Sequence, residues 1–401
     1  MALSLARRMG LLKSSEIREI LKVTQQPDII SFAGGLPAPE LFPIQELSDC
    51  QSRVLRESGA QALQYSTTEG YWPLRERIAD RMNKTVGTSM TMSNILITHG
   101  SQQVLDLAGK VFLDEGDVVL CESPTYLAAL SAFKSYGCSF KEIPTDEHGM
   151  LMDDLRATLQ KTPQAKLIYV IPDFQNPTGK TWSLERRKEL AAIAAEYAVA
   201  VLEDNPYGEL RYEGDPLPSV KSFDTHDVVL YAGSFSKILC PGYRLGWVSG
   251  EAELIKKFVL AKQGTDLQCN TLCQMVIHDF LMHYDIDKHI ATIRETYGKR
   301  RDCLLATLDE YMPAGVTYVR PKGGLFSWME LPASMDATAI LKKCLEQKVA
   351  FVPGESFFPV SGQKNTLRLN FSSMPETRII EGIQRLAAVL RSEMETPDAP
   401  A

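Results

Sequence analysis

The stretch Val228-Val229-Leu230-Tyr231-Ala232-Gly233-Ser234-Phe235-Ser236-Lys237 joins an apolar run to a polar turn, a pattern typical of a buried strand that ends at a ligand site. Similar short runs recur along the chain and alternate with segments of helical periodicity. The runs are Ile95 to Thr98, Val118 to Cys121, Leu167 to Ile171, Val199 to Leu202, Val228 to Ala232 and Leu245 to Ser249. Because they are almost continuously apolar, they predict strands buried on both faces, as in an α/β fold with a largely parallel sheet and flanking helices such as 183–196.

Polar residues follow five of these runs at the points where the strands are expected to end. Ligands of open parallel sheets bind outside the carboxyl ends of the strands, so we predict one shared site there. The segments that form it are Gly100-Ser101-Gln102, Pro124-Thr125-Tyr126, Asn176-Pro177, Asp204 and Ser234 to Lys237.

The segment from Ser234 to Arg244 combines one amine with three groups that bind phosphate. A buried Lys237 can form a Schiff base with an aldehyde, and the hydroxyls of Ser234 and Ser236 can bind phosphate oxygens. Arg244 lies between two glycines and offers a guanidinium fork to a phosphate dianion. Although Ser-x-Ser-Lys alone is common by chance, the combination favours pyridoxal 5'-phosphate as the cofactor.

Composition limits the classes of protein that the chain can represent. With 401 residues, 44% hydrophobic and 23% charged, the chain exceeds the size at which single cores usually divide, so we expect two domains. The net charge of -7, with 43 basic and 50 acidic residues, provides no basic stripe for nucleic acid. Any anion site must therefore be local.

The eight cysteines are scattered, without a CxxC pair or the dense spacing of secreted disulfide proteins. Cys269 and Cys273 could share one helical face, where packing is favoured over zinc binding, so no metal site is predicted. No window approaches the roughly 20 apolar residues of a membrane span, and the N-terminus lacks the character of a signal or transit peptide. We expect a cytoplasmic protein with no membrane partner.

The texture of the sequence changes after about residue 290, where a long charged helical stretch is followed by strands and helices of a smaller α+β domain. The predicted strands are 316–319, 325–329, 350–352 and 366–369, and the helices are 337–348 and 376–391. We predict an N-terminal segment 1–45, a large domain 46–290 and a small domain 291–401.

Two of the strand-exit residues have a structural as well as a functional interpretation. Ser101 opens a predicted helix whose N–H groups and dipole favour an anion, but a serine N-cap explains it equally simply. Tyr126 offers a ring that could stack on a heteroaromatic cofactor, although tyrosines near strand ends more often only pack.

Two charged residues next to or within apolar runs have the same ambiguity. Asp204 is costly to bury without a cation, which a pyridinium N–H would supply, while the alternative is an aspartate that caps a turn before Pro206. Arg368 suits a bidentate grip on a substrate carboxylate, or else a salt bridge to a neighbouring strand.

The motif Asn176-Pro177-Thr178-Gly179 predicts a turn. The Asn176 amide can donate to a phenolate oxygen on the cofactor ring, a role shared with the hydroxyl of Tyr207. Gly179-Lys180-Thr181 is similar to the end of a nucleotide-binding P-loop, but Phe174 stands where that motif requires glycine, so we reject a nucleotide site.

Taken in order, these motifs resemble the fold-type I pyridoxal-phosphate aminotransferases over essentially the whole chain. Three further segments are similar to the branch that holds 2-aminoadipate and kynurenine aminotransferases: Phe32-Ala33-Gly34-Gly35-Leu36-Pro37, Tyr65-Ser66-Thr67-Thr68-Glu69-Gly70-Tyr71 and Gly323-Gly324-Leu325-Phe326. Thr67 stands where relatives often have proline. The resemblance implies a seven-stranded, aspartate aminotransferase-like large domain and a homodimer.

The resemblance also implies a role for each matching residue. Lys237 would hold the cofactor and act as the base, with Asp204 at the ring nitrogen and Tyr207 as the third catalytic residue. Other cofactor roles follow in the same way: Asn176 and Tyr207 at the ring oxygen; Tyr126 at the ring face; and Ser101, Gln102, Ser234, Ser236, Arg244 and a neighbouring subunit's Tyr65 at the phosphate. The implied substrate-binding residues are Arg368 at the α-carboxylate, Asn176, Gly35 on a mobile N-terminal lid, and Arg18 at an acidic side chain.

The implied reaction moves the amino group of an amino acid to a 2-oxo acid such as 2-oxoglutarate. Three alternatives stay open at this stage: a lyase or decarboxylase with the same cofactor, an effector sensor of the kind fused to transcription regulators, and a nucleotide-dependent oxidoreductase. A sensor of that kind carries a basic winged-helix module, and no such module is expected before residue 30 of this sequence. An oxidoreductase with a nucleotide cofactor would need a GxGxxG motif, which the sequence does not contain.

Overall fold

A computed structural model describes residues 3–11, 26 and 28–395. The α-helices of this part are α1 (Ile44–Ala62), α2 (Trp72–Thr85), α3 (Ser101–Phe112), α4 (Leu127–Lys134), α5 (Met152–Gln160), α6 (Leu184–Tyr197), α7 (Ala252–Gln263), α8 (Thr271–His283), α9 (Ile286–Tyr311), α10 (Ala337–Glu346) and α11 (Glu376–Glu395). Short 3-10 helices span Arg7–Leu11, Pro39–Leu41, Met92–Asn94, Lys221–Phe223 and Glu355–Phe357.

The strands fall into two larger sheets and two short pairs. They are β1 (Ile30–Ser31), β2 (Ile95–Thr98), β3 (Val118–Glu122), β4 (Ser139–Ile143), β5 (Thr145–Asp146), β6 (Gly149–Met150), β7 (Ala165–Val170), β8 (Ala200–Asp204), β9 (Val229–Ser234), β10 (Gly246–Ser249), β11 (Thr317–Tyr318), β12 (Phe326–Glu330), β13 (Val349–Ala350), β14 (Val352–Pro353) and β15 (Thr366–Asn370). All six strands predicted for the large domain are present, with ends shifted by at most about two residues.

The central sheet has seven strands in the order β2-β10-β9-β8-β7-β3-β4. Strand β10 pairs antiparallel with β2 and β9, whereas every other neighbouring pair of this sheet is parallel. The prediction of a largely parallel sheet is therefore confirmed. The sequence did not reveal β4, because this edge strand alternates exposed and half-buried residues and has no continuous apolar run.

The continuous apolar character of the predicted strands follows from burial on both faces of the sheet. In β7, Leu167 and Tyr169 join one hydrophobic cluster, while Ile168 and Val170 join another on the opposite face. Alternate residues of a strand point to opposite faces, so a strand between two helical layers needs apolar residues at nearly every position.

The second of the larger sheets has four antiparallel strands in the order β11-β12-β15-β14. Helices α10 and α11 come from the same part of the chain. The N-terminal β1 pairs in parallel with β13, which joins the start of the chain to its last third. The predicted boundary at 290/291 falls inside α9, which begins at Ile286 and not after residue 290. The division into three parts itself stays a prediction.

In the part of the chain that the structure describes, none of the helices combines the length and the apolar character needed to cross a bilayer.

Candidate active site

The site lies where β2, β3, β7, β8 and β9 end, because these strands run in the same direction through the central sheet. Contacts join the polar segments that follow them. Gln102 Nε2 lies 3.4 Å from the carbonyl of Ala128, and Gln175 Nε2 donates to the carbonyl of Pro124 at 3.0 Å. Segments far apart in the sequence therefore form one surface.

Lys237 presents its amine to this surface from the turn after β9. The turn is closed by Ser234 Oγ, which accepts a hydrogen bond from Ser236 N at 3.1 Å. Lys237 Nζ donates to the carbonyl of Gly35 at 2.7 Å. Burial, and then the charges of Arg368 and Arg244, lower the pKa of Lys237 to about 8. About half of this amine is then neutral near pH 8, where an ordinary lysine is almost wholly charged, and a nucleophile or base requires the neutral form.

Arg244 lies beside the N-terminus of α3 and makes this part of the site positively charged. Gly100 is the N-cap residue of α3 and has φ +69°, and a Cβ atom there would lie 2.7 Å from Arg244 Nη2. Ser101 is the first helical residue, and no side chain caps the helix, so the interpretation of Ser101 as an N-cap is wrong. Uncapped N–H groups beside a guanidinium form a suitable site for a phosphate.

Asp204 ends β8 as a buried carboxylate that is only half satisfied. Its Oδ2 accepts a hydrogen bond from the hydroxyl of Tyr169 at 2.8 Å, whereas its Oδ1 is buried and has no partner. Burial raises the pKa of Asp204 to about 7, and the bond from Tyr169 opposes this rise. The following turn is closed by Asn205, whose Oδ1 accepts from Gly208 N, so the alternative role of Asp204 as a turn cap is wrong.

The unpartnered oxygen of Asp204 indicates which kind of group the site can bind. A buried carboxylate oxygen without a donor is costly, and a protonated ring nitrogen would supply both the donor and the charge. The residues therefore fit a heteroaromatic group whose nitrogen carries a proton, as pyridoxal phosphate does.

Arg368 lies in β15 and reaches the same edge from the second sheet. Its guanidinium donates to Asn176 Oδ1 at 2.8 Å and to the carbonyl of Ala33 at 2.6 Å, while its buried Nε has no partner. The group lies 4.2 Å from the ring centroid of Phe326 and 5.2 Å from that of Phe357. Among the described residues its partners are an amide and a carbonyl oxygen and no carboxylate, so the salt-bridge alternative is not found there.

Tyr207 and Tyr126 supply the aromatic surface of the site. Tyr207 packs edge-on against Phe326, with ring centroids 5.8 Å apart, and contacts Asn176. Tyr126 precedes α4, and burial, followed by the charge of Asp204, raises its pKa. Tyr65, in contrast, lies on the surface with 79% of its area exposed.

Sequence reasoning missed three parts of this arrangement. These are the Tyr169 hydroxyl, the Ala33 carbonyl and the Phe357 ring. Arg18, predicted to meet an acidic side chain, lies outside the described residues.

One further cluster of possible ligands lies near α3. Cys269 precedes the N-cap residue of α8 and shares no helical face with Cys273, contrary to expectation. It lies beside His99 and Asp266. The carboxylate of Asp266 already accepts bonds from Lys262 and Gln103, and burial raises the pKa of the Cys269 thiol to about 12. We therefore propose no metal site there.

Comparison with known proteins identifies the family. The sequence profile of the family described as "Aminotransferase class I and II" matches residues 39–386. The chain belongs to this family. This aminotransferase is 46% identical over 388 residues to aromatic-amino-acid aminotransferase 1 of Thermococcus litoralis, a match that covers 96% of this chain and 93% of the relative.

Two solved structures are also similar to this aminotransferase. The kynurenine aminotransferase of Pyrococcus horikoshii, solved with PMP, KYN and KYA, has a TM-score of 0.94 and 43% identity, covering 98% of both chains. LysN, an alpha-aminoadipate aminotransferase of Thermus thermophilus complexed with N-(5'-phosphopyridoxyl)-L-leucine, has a TM-score of 0.91 and 42% identity, covering 97% of this chain and 98% of that one. The chain is thus a transaminase with the fold-type I architecture, and it uses pyridoxal phosphate to transaminate amino acids.

Proposed function

We propose that this aminotransferase moves the amino group of a 2-aminoadipate, glutamate, aromatic or branched-chain amino acid to a 2-oxo acid such as 2-oxoglutarate. The observation that carries the proposal is the buried Arg368 guanidinium. It has no carboxylate partner among the described residues, and its charge contributes to the lowered pKa of Lys237. A site that places a free cation near a partly neutral amine suits a substrate with a carboxylate and an adjacent reacting carbon.

Bound pyridoxal phosphate supplies an aldehyde that accepts an amino group and a ring that withdraws electrons from the substrate's Cα. Asp204 Oδ1 would accept the proton on the ring nitrogen, and Tyr126 would pack on the ring face. Asn176 and Tyr207 would bind the ring oxygen. The phosphate would be held by Ser101, Gln102, Ser234, Ser236 and Arg244, together with Tyr65 from a second subunit.

Lys237 has two tasks in this proposal, to hold the cofactor and to move the proton at the substrate's Cα. The second task requires a neutral Nζ, which burial and the two neighbouring arginines favour because each opposes a further positive charge. Gly35 accepts from the same Nζ, so the N-terminal segment 1–45 contacts the reacting amine directly.

Arg368 would bind the α-carboxylate. Its bonds to Asn176 and Ala33 and its packing on Phe326 fix the plane of the guanidinium before the substrate arrives. Such fixed orientation reduces the entropy lost on binding.

The proposal includes a homodimer with shared sites and a cytoplasmic location. Ser66 N donates to Gln268 Oε1, which brings the loop of Leu63 and Tyr65 beside Leu267. These three side chains are 74%, 79% and 49% exposed. Exposed apolar side chains on two neighbouring segments suit a surface that a second copy of the chain would cover. Eight free cysteines suit a reducing compartment.

Subunit mixing tests the shared site. Tyr65→Ala and Lys237→Ala are each expected to reduce activity as pure proteins. If Tyr65 completes the neighbouring subunit's site, a mixed dimer contains one site with both lesions and one intact site. Refolding the two variants together should then restore activity toward a quarter of the wild-type value, measured as transamination per subunit, since half of the dimers are mixed and one of their two sites is intact.

Native mass spectrometry of the refolded mixture serves as the control for subunit exchange, because the two variants differ in mass and the mixed dimer gives a separate peak. A mixture that contains mixed dimers but regains no activity would contradict the shared site.

A panel of amino donors tests the substrate class and the role of Arg18. Both enantiomers of 2-aminoadipate, leucine and an aromatic amino acid are assayed against 2-oxoglutarate, and both enantiomers of glutamate are assayed against a different 2-oxo acid. We expect Arg18→Ala to reduce kcat/KM for the acidic donors by roughly tenfold or more, because a charged hydrogen bond is lost, and to change leucine and aromatic donors little. Steady-state kinetics with formation of glutamate, or of the new amino acid, provide the measurement.

Equal losses for all donors would show that Arg18 only packs. Incubation of the aromatic donor without any 2-oxo acid examines the lyase alternative, since release of pyruvate and ammonia would contradict net transamination.

A further inference from the structure

A tyrosine that belongs to no recognised motif contacts the acid of the site. The hydroxyl of Tyr169 donates to Asp204 Oδ2 at 2.8 Å, and both side chains are buried. Burial and then the charge of Asp204 hold the pKa of Tyr169 well above its usual range. The hydroxyl therefore stays protonated and acts as a donor.

The strand register explains how the two groups meet. Tyr169 in β7 is opposite Leu202 in β8, and Asp204 follows Leu202 by two residues. Because alternate residues share a face, Tyr169, Leu202 and Asp204 all point to the same side of the sheet. Glu203 points to the other side, where it accepts bonds from Val220 N and Lys221 N.

The ring of Tyr169 has little freedom to move. Phe133 of α4 packs against it edge-on, with centroids 5.6 Å apart at 72°. The hydroxyl is thus held at one point, and it fixes the carboxylate of Asp204 with Oδ2 occupied and Oδ1 unpartnered.

We propose that Tyr169 is a positioning residue that orients Asp204 toward the ring nitrogen of the cofactor. The inference rests on the proposed role of Asp204. With Oδ2 bound to the hydroxyl, Oδ1 is the oxygen that accepts from the ring. The bond also stabilises the ionised carboxylate, which is the form that attracts a protonated ring nitrogen.

The experiment measures binding of the cofactor rather than turnover. Pyridoxamine 5'-phosphate is used because it forms no covalent bond to Lys237, so its affinity reports on contacts with the ring and phosphate. A second probe is an analogue in which a C–H group replaces the ring nitrogen. Dissociation constants of both probes are measured by equilibrium dialysis for wild type, Tyr169→Phe and Asp204→Ala. Tyr136→Phe is the matched control, since Tyr136 donates to Asp106 in a similar bond outside the site.

Tyr169→Phe is expected to weaken pyridoxamine 5'-phosphate by about tenfold, as for loss of a hydrogen bond to a charged group, while it changes the affinity of the nitrogen-free analogue less than about twofold. Tyr136→Phe should change neither. The ratio of the two affinities in one protein preparation is independent of the fraction that is correctly folded, so partial destabilisation does not obscure the result.

Two results would overturn the inference. If Tyr169→Phe binds both probes as wild type does, or weakens both equally, Tyr169 only packs; in either case Asp204→Ala shows separately whether the proposed role of Asp204 stands. Asp204→Ala with unchanged affinity for pyridoxamine 5'-phosphate would remove that role as well.

Discussion

Replacing Lys237 with alanine is expected to abolish transamination and covalent attachment of the cofactor. In the proposed mechanism the variant lacks both the amine that would hold pyridoxal phosphate and the base that would move the Cα proton. General base catalysis alone contributes about 10²–10⁴-fold, so a loss of at least about 10⁴-fold is expected when both tasks are removed. Turnover is measured with 2-oxoglutarate, and attachment by mass spectrometry after borohydride reduction.

Lys256→Ala is the matched control, because Lys256 pairs with Glu253 on the exposed surface of α7. It should retain full activity and the reduced, labelled Lys237 peptide. A Lys237→Ala protein that kept both turnover and a labelled peptide would end the assignment of this residue.

Some features of this fold leave a local pattern in the sequence, and others do not. Burial on two faces leaves continuous apolar runs, and six strands could be placed from them. The start of α6 was also visible, because Ser183 caps it by accepting from Arg186 N. The start of α9 differs from the prediction because the change in charge after residue 290 does not coincide with the helix terminus, which is set by Asp285, whose side chain accepts from Lys288 N.

The candidate site also contains some features that a local sequence pattern predicts and others that depend on distant parts of the chain. Asp204 stands out in the sequence because an acid directly after an apolar run is costly to bury unless it has a partner. The structure shows it buried with one unpartnered oxygen, and its role toward the cofactor stays a prediction. Its bond to Tyr169 depends on the register of β7 against β8, which no local pattern records. The same limit applies to Arg368, since its acceptor, the Ala33 carbonyl, is 335 residues away in the chain.

Replacing Asp204 with alanine is the second change with a large expected effect. In its proposed role the carboxylate would keep the ring nitrogen protonated, so its removal would weaken the withdrawal of electrons from Cα. We expect kcat/KM to fall by roughly 10³-fold, or about 4 kcal/mol of transition-state stabilisation. Asp106→Ala is the control, because Asp106 also accepts a tyrosine hydroxyl but lies outside the site. Near-normal turnover of Asp204→Ala would refute the role.

The variant Asp204→Asn tests whether activity requires the negative charge of this side chain or only its size and shape. The amide keeps the size of the side chain and an oxygen for Tyr169, so activity should still fall by a similar factor if charge is required. In the cofactor-free protein, stability should change in the opposite direction. The pKa of Asp204 is raised from 3.8 to about 7, so between these values the folded state binds more protons than the unfolded state. The stability associated with this group is therefore present at about pH 4 and lost as the pH rises through about 7.

The Asp204→Asn side chain does not ionise, so this loss of stability at high pH should disappear. The melting temperature of the variant at pH 8 should therefore exceed that of cofactor-free wild type. A part of the pH dependence should persist, since burial also raises the pKa values of Glu122 and Glu203 to about 7. Thermal unfolding of both proteins at pH 5.5 and pH 8 provides the measurement. A variant that is less stable than wild type at pH 8 would show that the buried charge is already compensated before the cofactor binds. The expected result, lower activity with higher stability, would mean that the fold tolerates an unfavourable buried carboxylate because the protonated ring nitrogen later stabilises it.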